Sequence, residues 1–152
     1  MHPENGKIVC TARALIIDEG ELLVFRLTKA PDWYSLPGGK IDFGESFAEA
    51  IKRELIEETG IEPVVGRLLV MREMILPDRH RVEMFFEIKN SADYRNIDLT
   101  KTTHGLEEIA DVAFVDVTKT DKKILPEFLK KLVPKIVSVG IDNFQFMTER
   151  GE

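Results

Sequence analysis

One segment, residues 46–60, constrains the fold more than any other, because it contains the start, the apolar face and the end of a helix. Ser46 and Glu49 have the spacing of a capping box, and Gly60 stands where a glycine commonly ends a helix. The apolar residues recur at helical spacing: Ala48, Ile51 and Leu55. The sequence therefore predicts a helix over residues 46–59 that packs on a core.

The same helix gathers three carboxylates on one side. Glu54, Glu57 and Glu58 recur at i, i+3 and i+4, so they fall within a narrow sector of the helix surface. Like charges at this spacing repel by roughly 0.2–0.5 kcal/mol per pair, and Arg53 can offset part of this by pairing with Glu57. The pattern fits a solvated acidic face, or a site for a hard divalent cation that prefers clustered carboxylate oxygens.

Strands surround this helix on both sides, which predicts an α/β fold with a mixed sheet. Two strands, 7–17 and 22–27, are expected to form a hairpin through the turn at 18–20, and a loop with a short strand at Trp33–Leu36 follows. After the helix we expect strands at 63–76, 81–89 and 107–117, with a polar loop at 90–105. A second helix at 125–140 is expected to kink or break at Pro134.

Composition excludes several classes of protein. The chain has 152 residues, enough for one domain spanning 1–152, with 43% hydrophobic and 32% charged residues. A net charge of −6 argues against binding nucleic acid or an anionic membrane, and no apolar run is long enough to span a bilayer. The single cysteine, Cys10, cannot form an internal disulfide, which suits the cytoplasm. We expect a small-molecule substrate, and a homodimer if the protein is an oligomer.

A longer motif decides between the two interpretations of the acidic face. From Gly39 to Ile61 the chain follows G-x5-E-x7-R-E-U-x-E-E-x-G-U, where U is aliphatic, at every defined position. This pattern resembles the Nudix box. The resemblance implies a Nudix-type α/β/α sandwich with a mixed central sheet, and a hydrolase of phosphoanhydride bonds. It also implies Mg²⁺ as the cofactor, with Mn²⁺ as the alternative ion, and favours the cation site.

The resemblance assigns roles to the motif residues. The carbonyl of Gly38 would be a metal ligand together with three carboxylates, those of Glu54, Glu57 and Glu58. Arg53 would orient the glutamates, and Glu45 would brace the loop against the helix. These five charged residues form the expected catalytic group: Glu45, Arg53, Glu54, Glu57 and Glu58.

Residues that contact the substrate are harder to assign. Gly39 and Lys40 lie within the motif loop, and Arg26 ends the strand that leads into it, so all three are candidates. The general base is either a glutamate of the motif or an acid on a later loop, where Glu107 and Glu108 are candidates.

Two further features each have two interpretations, and a third has no predicted role. Trp33 fits core packing or stacking on a base, and residues 77–81 fit an exposed turn or a basic contact with phosphate. His104 has no partner pattern typical of a metal ligand.

The motif indicates the class of substrate but does not identify the individual compound. A nucleoside diphosphate linked to another moiety is expected, and nucleoside triphosphates, dinucleotide polyphosphates and ADP-ribose all belong to it. The alternative is a Nudix-fold module that senses a nucleotide without cleaving it. All three glutamates are present, which favours the enzyme.

Overall fold

The computed structural model describes residues 6–140 and 144–151, which form strands, helices and two short 3-10 turns. The strands are β1 (Lys7–Leu15), β2 (Ile17–Asp18), β3 (Glu21–Leu27), β4 (Gly38–Lys40), β5 (Val65–Ile75), β6 (Arg79–Ile88), β7 (Ile109–Val115) and β8 (Gln145–Arg150). The helices are α1 (Phe47–Thr59), α2 (Gly105–Glu108) and α3 (Leu129–Val139). No helix among these residues is long and apolar enough to cross a membrane.

The strands divide between two sheets. The larger has the order β4-β1-β6-β5-β8, in which β1 with β6 and β5 with β8 are parallel and the other pairs are antiparallel. The smaller sheet, β2-β3-β7, is antiparallel. The α/β class and the mixed sheet are therefore confirmed, and the second sheet is an addition that the sequence did not predict.

The predicted first hairpin is only partly correct. The turn at Glu19 and Gly20 does join β2 to β3, but β1 pairs with β4 and β6 in the other sheet. The chain changes sheets at Ile16, which is fully buried and still accepts a hydrogen bond from the Leu23 N–H. Because the residues on both sides of Ile16 are also buried, the sequence shows one continuous apolar run and gives no sign of the change of sheet.

Two hydrophobic clusters lie on opposite faces of the strands. Along β3 the alternate residues Leu22 and Val24 join the cluster that contains α3, while Leu23 and Phe25 join the cluster that contains α1. Because successive strand side chains point to opposite faces, α1 and α3 pack on opposite sides. This arrangement is the expected sandwich.

The structure confirms α1 and its caps. The Ser46 Oγ accepts a hydrogen bond from the Glu49 N–H, the Glu49 carboxylate accepts one from the Ser46 N–H, and Gly60 adopts a left-handed conformation with φ 74°. The predicted apolar face is wrong at one position, since Ala48 is exposed and Ala50 is buried instead.

Three other elements differ from the prediction. The segment Trp33–Leu36 makes isolated bridges only, and the strand of this loop is β4, where glycines had suggested irregular structure. Helix α3 continues through Pro134 without a break. Strand β8 was not predicted, since its four charged or polar residues obscure the alternation typical of a strand.

Candidate active site

Two glycines bring strand β4 against helix α1. A Cβ on Gly38, which has φ 128°, would overlap the Ala12 carbonyl, and a Cβ on Gly39 would overlap the Glu54 carboxylate. Glycine is therefore required at Gly38 for β4 to pair with β1, whereas at Gly39 the absence of a side chain leaves room for the Glu54 carboxylate. The result is a backbone strand that runs directly beside the glutamates.

Arg53 and Glu45 fix the geometry of the loop and the helix. The Arg53 Nε and Nη2 donate hydrogen bonds of 2.8 and 3.1 Å to the two carboxylate oxygens of Glu45, and Nη2 also reaches the Lys40 carbonyl at 3.1 Å. This bidentate pair is a strong, directional form of ion pair. It holds the pKa of Glu45 below its usual value. The predicted i, i+4 pair of Arg53 with Glu57 exists at 3.6 Å, but Glu45 is the closer partner.

Glu58 is the most unusual carboxylate of the helix because it is only 5% exposed. Its Oε2 accepts a hydrogen bond of 3.3 Å from the Gly38 N–H. Burial, and next the neighbouring charge of Glu54, raise the pKa of Glu58 to about 8. Burial also raises the pKa of Glu54, against the lowering effect of Arg53. The helix therefore holds two carboxylates in surroundings that disfavour their charge.

Glu57 lies at the more exposed side of the same cluster. Its carboxylate is 3.4 Å from the His104 Nδ1, so His104 lies at the site although no pattern around it in the sequence is typical of a site residue. With Glu54 turned toward Arg53 at 3.0 Å, no three His, Cys, Asp or Glu side chains among residues 6–140 and 144–151 converge closely enough to hold an ion in this conformation.

The donor chemistry nevertheless fits a hard divalent cation. The glutamates and the Gly38 carbonyl supply only oxygen atoms, as Mg²⁺ prefers. Within the described ranges, no lysine, arginine or histidine lies within ion-pair distance of the buried Glu58. The Gly38 N–H and the charge of Arg13 lower the pKa of Glu58 less than burial and Glu54 raise it, so a bound cation would supply compensation that these groups do not. Rotation of the Glu54 and Glu57 side chains away from Arg53 and His104 would free their oxygens.

The loop before β7 is held against the end of α1. The His104 N–H donates 3.1 Å to the Glu57 carbonyl, and a Cβ on Gly105 would come too close to the Glu58 carbonyl. The sequence predicted Glu107 and Glu108 at the start of a strand, whereas in the structure both belong to the short helix α2. This helical turn separates the two side chains.

Only one of these two acids reaches the glutamates. Glu108 lines the same cavity as the three glutamates, and its charge raises the pKa of Glu54 and of Glu58. Glu107 is not among the lining residues, and its backbone carbonyl accepts a hydrogen bond from Thr28 at the outside of the turn. Of these two acids, Glu108 is the one whose side chain lines the cavity.

We call this space the glutamate cavity. It has a volume of about 570 Å³, within the range of small-molecule sites. The expected residues Gly38, Gly39 and Lys40 line it. Arg13 and Lys29, which had no predicted role, also line it. Arg81 lines it too, and it belongs to the segment 77–81, for which a basic contact with phosphate was one of the two interpretations.

Arg26, an expected substrate contact, lies elsewhere. Its guanidinium is 6.0 Å from the ring centroid of Tyr34, and the next residue, Leu27, lines the glutamate cavity instead. Adjacent strand side chains point to opposite faces, and the pairing with β7 shifts register between these two residues. The side chain at the end of β3 that faces the site is therefore a leucine.

Arg13 was missed although it contacts the motif directly. Its Nη1 donates hydrogen bonds of 3.3 and 3.2 Å to the carbonyls of Leu36 and Gly38. The Gly38 carbonyl keeps a second lone pair for another partner. Arg13 lies 25 residues before Gly38 on a strand that reads as core, so only the sheet pairing reveals the contact.

Comparison with known proteins identifies the class. A model of the NUDIX domain matches residues 9–136, so the chain belongs to the Nudix family. The solved Escherichia coli ORF135 protein shares the fold, with a TM-score of 0.68 at 18% identity over 94% of this chain and 100% of that one.

Individual relatives carry different activities in their names. The 8-oxo-dGTP diphosphatase of Escherichia coli K12 is 36% identical over 86 residues, 57% of this chain and 58% of the relative. A human diphosphoinositol polyphosphate phosphohydrolase is 27% identical over 119 residues, 75% of this chain and 63% of the relative. Each alignment spans less than two thirds of the relative's length.

Proposed function

We propose that this protein is a divalent-metal-dependent pyrophosphohydrolase that cleaves a nucleoside diphosphate linked to another moiety by attack of water at phosphorus. The observation that carries the proposal is the glutamate cavity, in which the buried Glu58 lies beside Gly38 and forms no ion pair with any described residue. Family membership and the diphosphatase relatives support the reaction type.

In this reaction, the residues of the glutamate cavity would divide into metal ligands and a general base. Glu54, Glu57, Glu58 and the Gly38 carbonyl would hold Mg²⁺ or Mn²⁺, which supplies Lewis-acid stabilisation of phosphoryl charge when bound. Glu108 would accept the proton of the attacking water, since its side chain lines the same cavity from a separate element. The substrate could be a nucleoside triphosphate, a dinucleotide polyphosphate or ADP-ribose.

The test is a substrate panel from these three classes with Mg²⁺, with Mn²⁺ and with EDTA. Chromatography of the products should show cleavage of a phosphoanhydride bond only when a metal is present. Turnover in ¹⁸O-labelled water should place the label on a phosphate product. Cleavage that is undiminished by EDTA, or no cleavage of any member with either metal, would contradict the proposal.

A further inference from the structure

The larger sheet ends on one side in an exposed strand. Strand β8 pairs with β5, and no strand among the described residues pairs with its other side, which we call the β8 edge. The opposite edge of the sheet is β4, which has only three residues and lies against α1. A six-residue edge strand such as β8 offers unpaired backbone groups to another chain.

Alternate residues of β8 direct their backbone groups to the β8 edge. The Gly151 N–H donates a hydrogen bond of 3.0 Å to the Ile75 carbonyl of β5. In a parallel ladder, every second residue directs its N–H and its C=O toward the neighbouring strand. Residues 145, 147 and 149 therefore bond to β5, whereas Phe146, Thr148 and Arg150 direct their backbone groups outward.

The side chains of these three residues lie on one face of the sheet. Met147 packs against the cluster that contains α3, so its neighbours Phe146 and Thr148 point to the face on which α1 packs. Arg150 points to that face as well, and all three side chains are exposed. The β8 edge therefore presents a phenylalanine, a threonine and an arginine together with free backbone groups.

An apolar row crosses the same face and ends at the β8 edge. Its residues are paired in register across four strands: Ala12, Met84, Met71 and Phe146. Ala12 is fully buried, the two methionines are half-buried, and Phe146 is 56% exposed. Phe144, two residues earlier, is 54% exposed. Exposed aromatic side chains beside unpaired backbone groups are typical of a protein contact surface.

The β8 edge is complementary to itself when two copies run antiparallel. With a two-fold axis between the Thr148 residues of the two copies, Phe146 of each lies opposite Arg150 of the other. The outward backbone groups of residues 146, 148 and 150 then meet one another, as hydrogen-bonded pairs require. Each arginine meets an aromatic ring, the threonines face each other, and no like charges are opposed.

We propose that the β8 edge is a homodimer interface, through which two copies of this chain pair antiparallel and join their larger sheets into one. The partner is a second copy because a two-fold interface requires a surface that is complementary to itself. A contact built on one pair of strands is small, so the dimer should be in reversible equilibrium with the monomer. The described lining of the glutamate cavity includes no residue of β8, so this inference does not depend on the proposed function.

Sedimentation velocity of the full chain at about 10 µM to about 1 mM, the range for a weak interface, tests the proposal. The native protein should shift from monomer to dimer as concentration rises. Thr148→Pro should weaken dimerisation at least about tenfold, because proline lacks the N–H at the β8 edge while the bonds to β5 remain. The matched control is Thr148→Val, which also loses the 2.7 Å hydrogen bond to Glu73 but keeps the N–H, and should dimerise like the native protein.

Two variants of Phe146 test the interface without changing the backbone. Phe146→Lys places a positive charge opposite Arg150 of the second copy and should weaken dimerisation at least about tenfold. Phe146→Glu loses the same ring but faces that arginine with the opposite charge, so it should dimerise more strongly than Phe146→Lys. If Thr148→Pro does not fold, as judged by circular dichroism, the two Phe146 variants decide.

Disulfide formation tests the register in a chain that also carries Cys10→Ala. Thr148→Cys should give a covalent dimer on mild oxidation, because opposed residues of a hydrogen-bonded pair have Cα atoms about 5.5 Å apart, within reach of a disulfide. Gln145→Cys, which lies far from its counterpart in this register, should remain monomeric on a non-reducing gel.

Three results would overturn the inference. They are a native protein that stays monomeric at every concentration, native dimerisation by the folded Thr148→Pro or Phe146→Lys variant, and cross-linking of Gln145→Cys equal to that of Thr148→Cys. Metal-dependent hydrolysis by the native protein tests only the proposed function. The two proposals can therefore fail separately.

Discussion

Two cavities differ in how buried charge is compensated. One is the glutamate cavity; the other, which we call the aromatic cavity, has a volume of about 440 Å³ and is lined by Trp33, Phe85 and Phe128. In the glutamate cavity, Glu58 is buried without an ion-pair partner in the described ranges. The charge of Glu54 raises its pKa by more than the charge of Arg13 lowers it. In the aromatic cavity, the equally buried Glu83 is paired with Arg72 at 3.1 Å. An uncompensated buried charge costs several kcal/mol, whereas a well-paired one costs far less. This difference supports the proposal that a cation binds in the glutamate cavity, whereas Glu83 already has a cationic partner.

The largest expected effect is the loss of kcat when a glutamate of the glutamate cavity is replaced. Glu57→Gln and Glu58→Gln should each lower kcat by roughly 10²–10⁴-fold, because a misplaced metal no longer stabilises charge in the transition state. The matched control is Glu62→Gln, since Glu62 is an exposed glutamate just beyond the helix, paired with Lys52. Steady-state kinetics at limiting Mg²⁺ would measure this. Full activity in either helix variant would remove that glutamate from the site.

A second comparison separates the two acids of α2. Glu108→Gln should lower kcat by about 10²-fold, toward the lower end of the usual contribution of a positioned base. Glu107→Gln should have little effect, since that side chain does not line the glutamate cavity. The apparent Mg²⁺ affinity should stay native in both. Near-native turnover in both variants would exclude the two acids of α2 as the base and leave Glu54, on α1, as the remaining candidate.

The pH dependence of stability gives a third test, on the metal-free protein. Burial raises the pKa of Glu58 from 4.5 to about 8, so between these values the folded state keeps a proton that the unfolded state loses. The free energy of unfolding should therefore fall as pH rises from 4.5 to 8 in EDTA. Glu58→Gln should show a shallower fall in urea denaturation. Parallel curves for the two proteins would show that Glu58 does not titrate in this way.

The smallest expected effect is a change in stability when one ion-pair partner in the aromatic cavity is replaced. Glu149→Gln removes the more exposed partner of Arg72 but leaves Glu83 in place. Because Glu149 is about half exposed, the loss in unfolding free energy should be about 1 kcal/mol or less. Thermal denaturation would measure it. A loss as large as that expected for a buried ion pair would mean that the aromatic cavity is less well compensated than its contacts indicate.

The sequence predicts the two cavities unequally, for a physical reason. The glutamates of α1 follow one another on a single helix, so spacing alone places them together, and the caps of that helix are local as well. The aromatic cavity is assembled across the sheet. Arg13 lies beside Phe85, and Arg72 beside Glu83, only because of the register of β1, β6 and β5.

Strand register also explains the specific errors. The Arg81-Glu83-Phe85 alternation on β6 was available in the sequence, but which face it joins depends on its neighbours. Arg26 was misplaced because side chains alternate along β3: Leu23, Phe25 and Leu27 face α1, so Arg26 points to the opposite face. Local patterns therefore predicted the candidate metal ligands, while residues that depend on pairing between distant strands required the structure.

Titration with Mn²⁺ followed by electron paramagnetic resonance would measure whether the glutamate cavity binds a divalent cation, as we propose. The native protein and Glu62→Gln should bind Mn²⁺ with the same affinity and stoichiometry, and Mg²⁺ should displace the bound ion. Glu58→Gln should bind at least about tenfold more weakly, because a directly coordinating carboxylate is lost. Identical Mn²⁺ binding by all three proteins would contradict the account, since the ion would then be bound elsewhere.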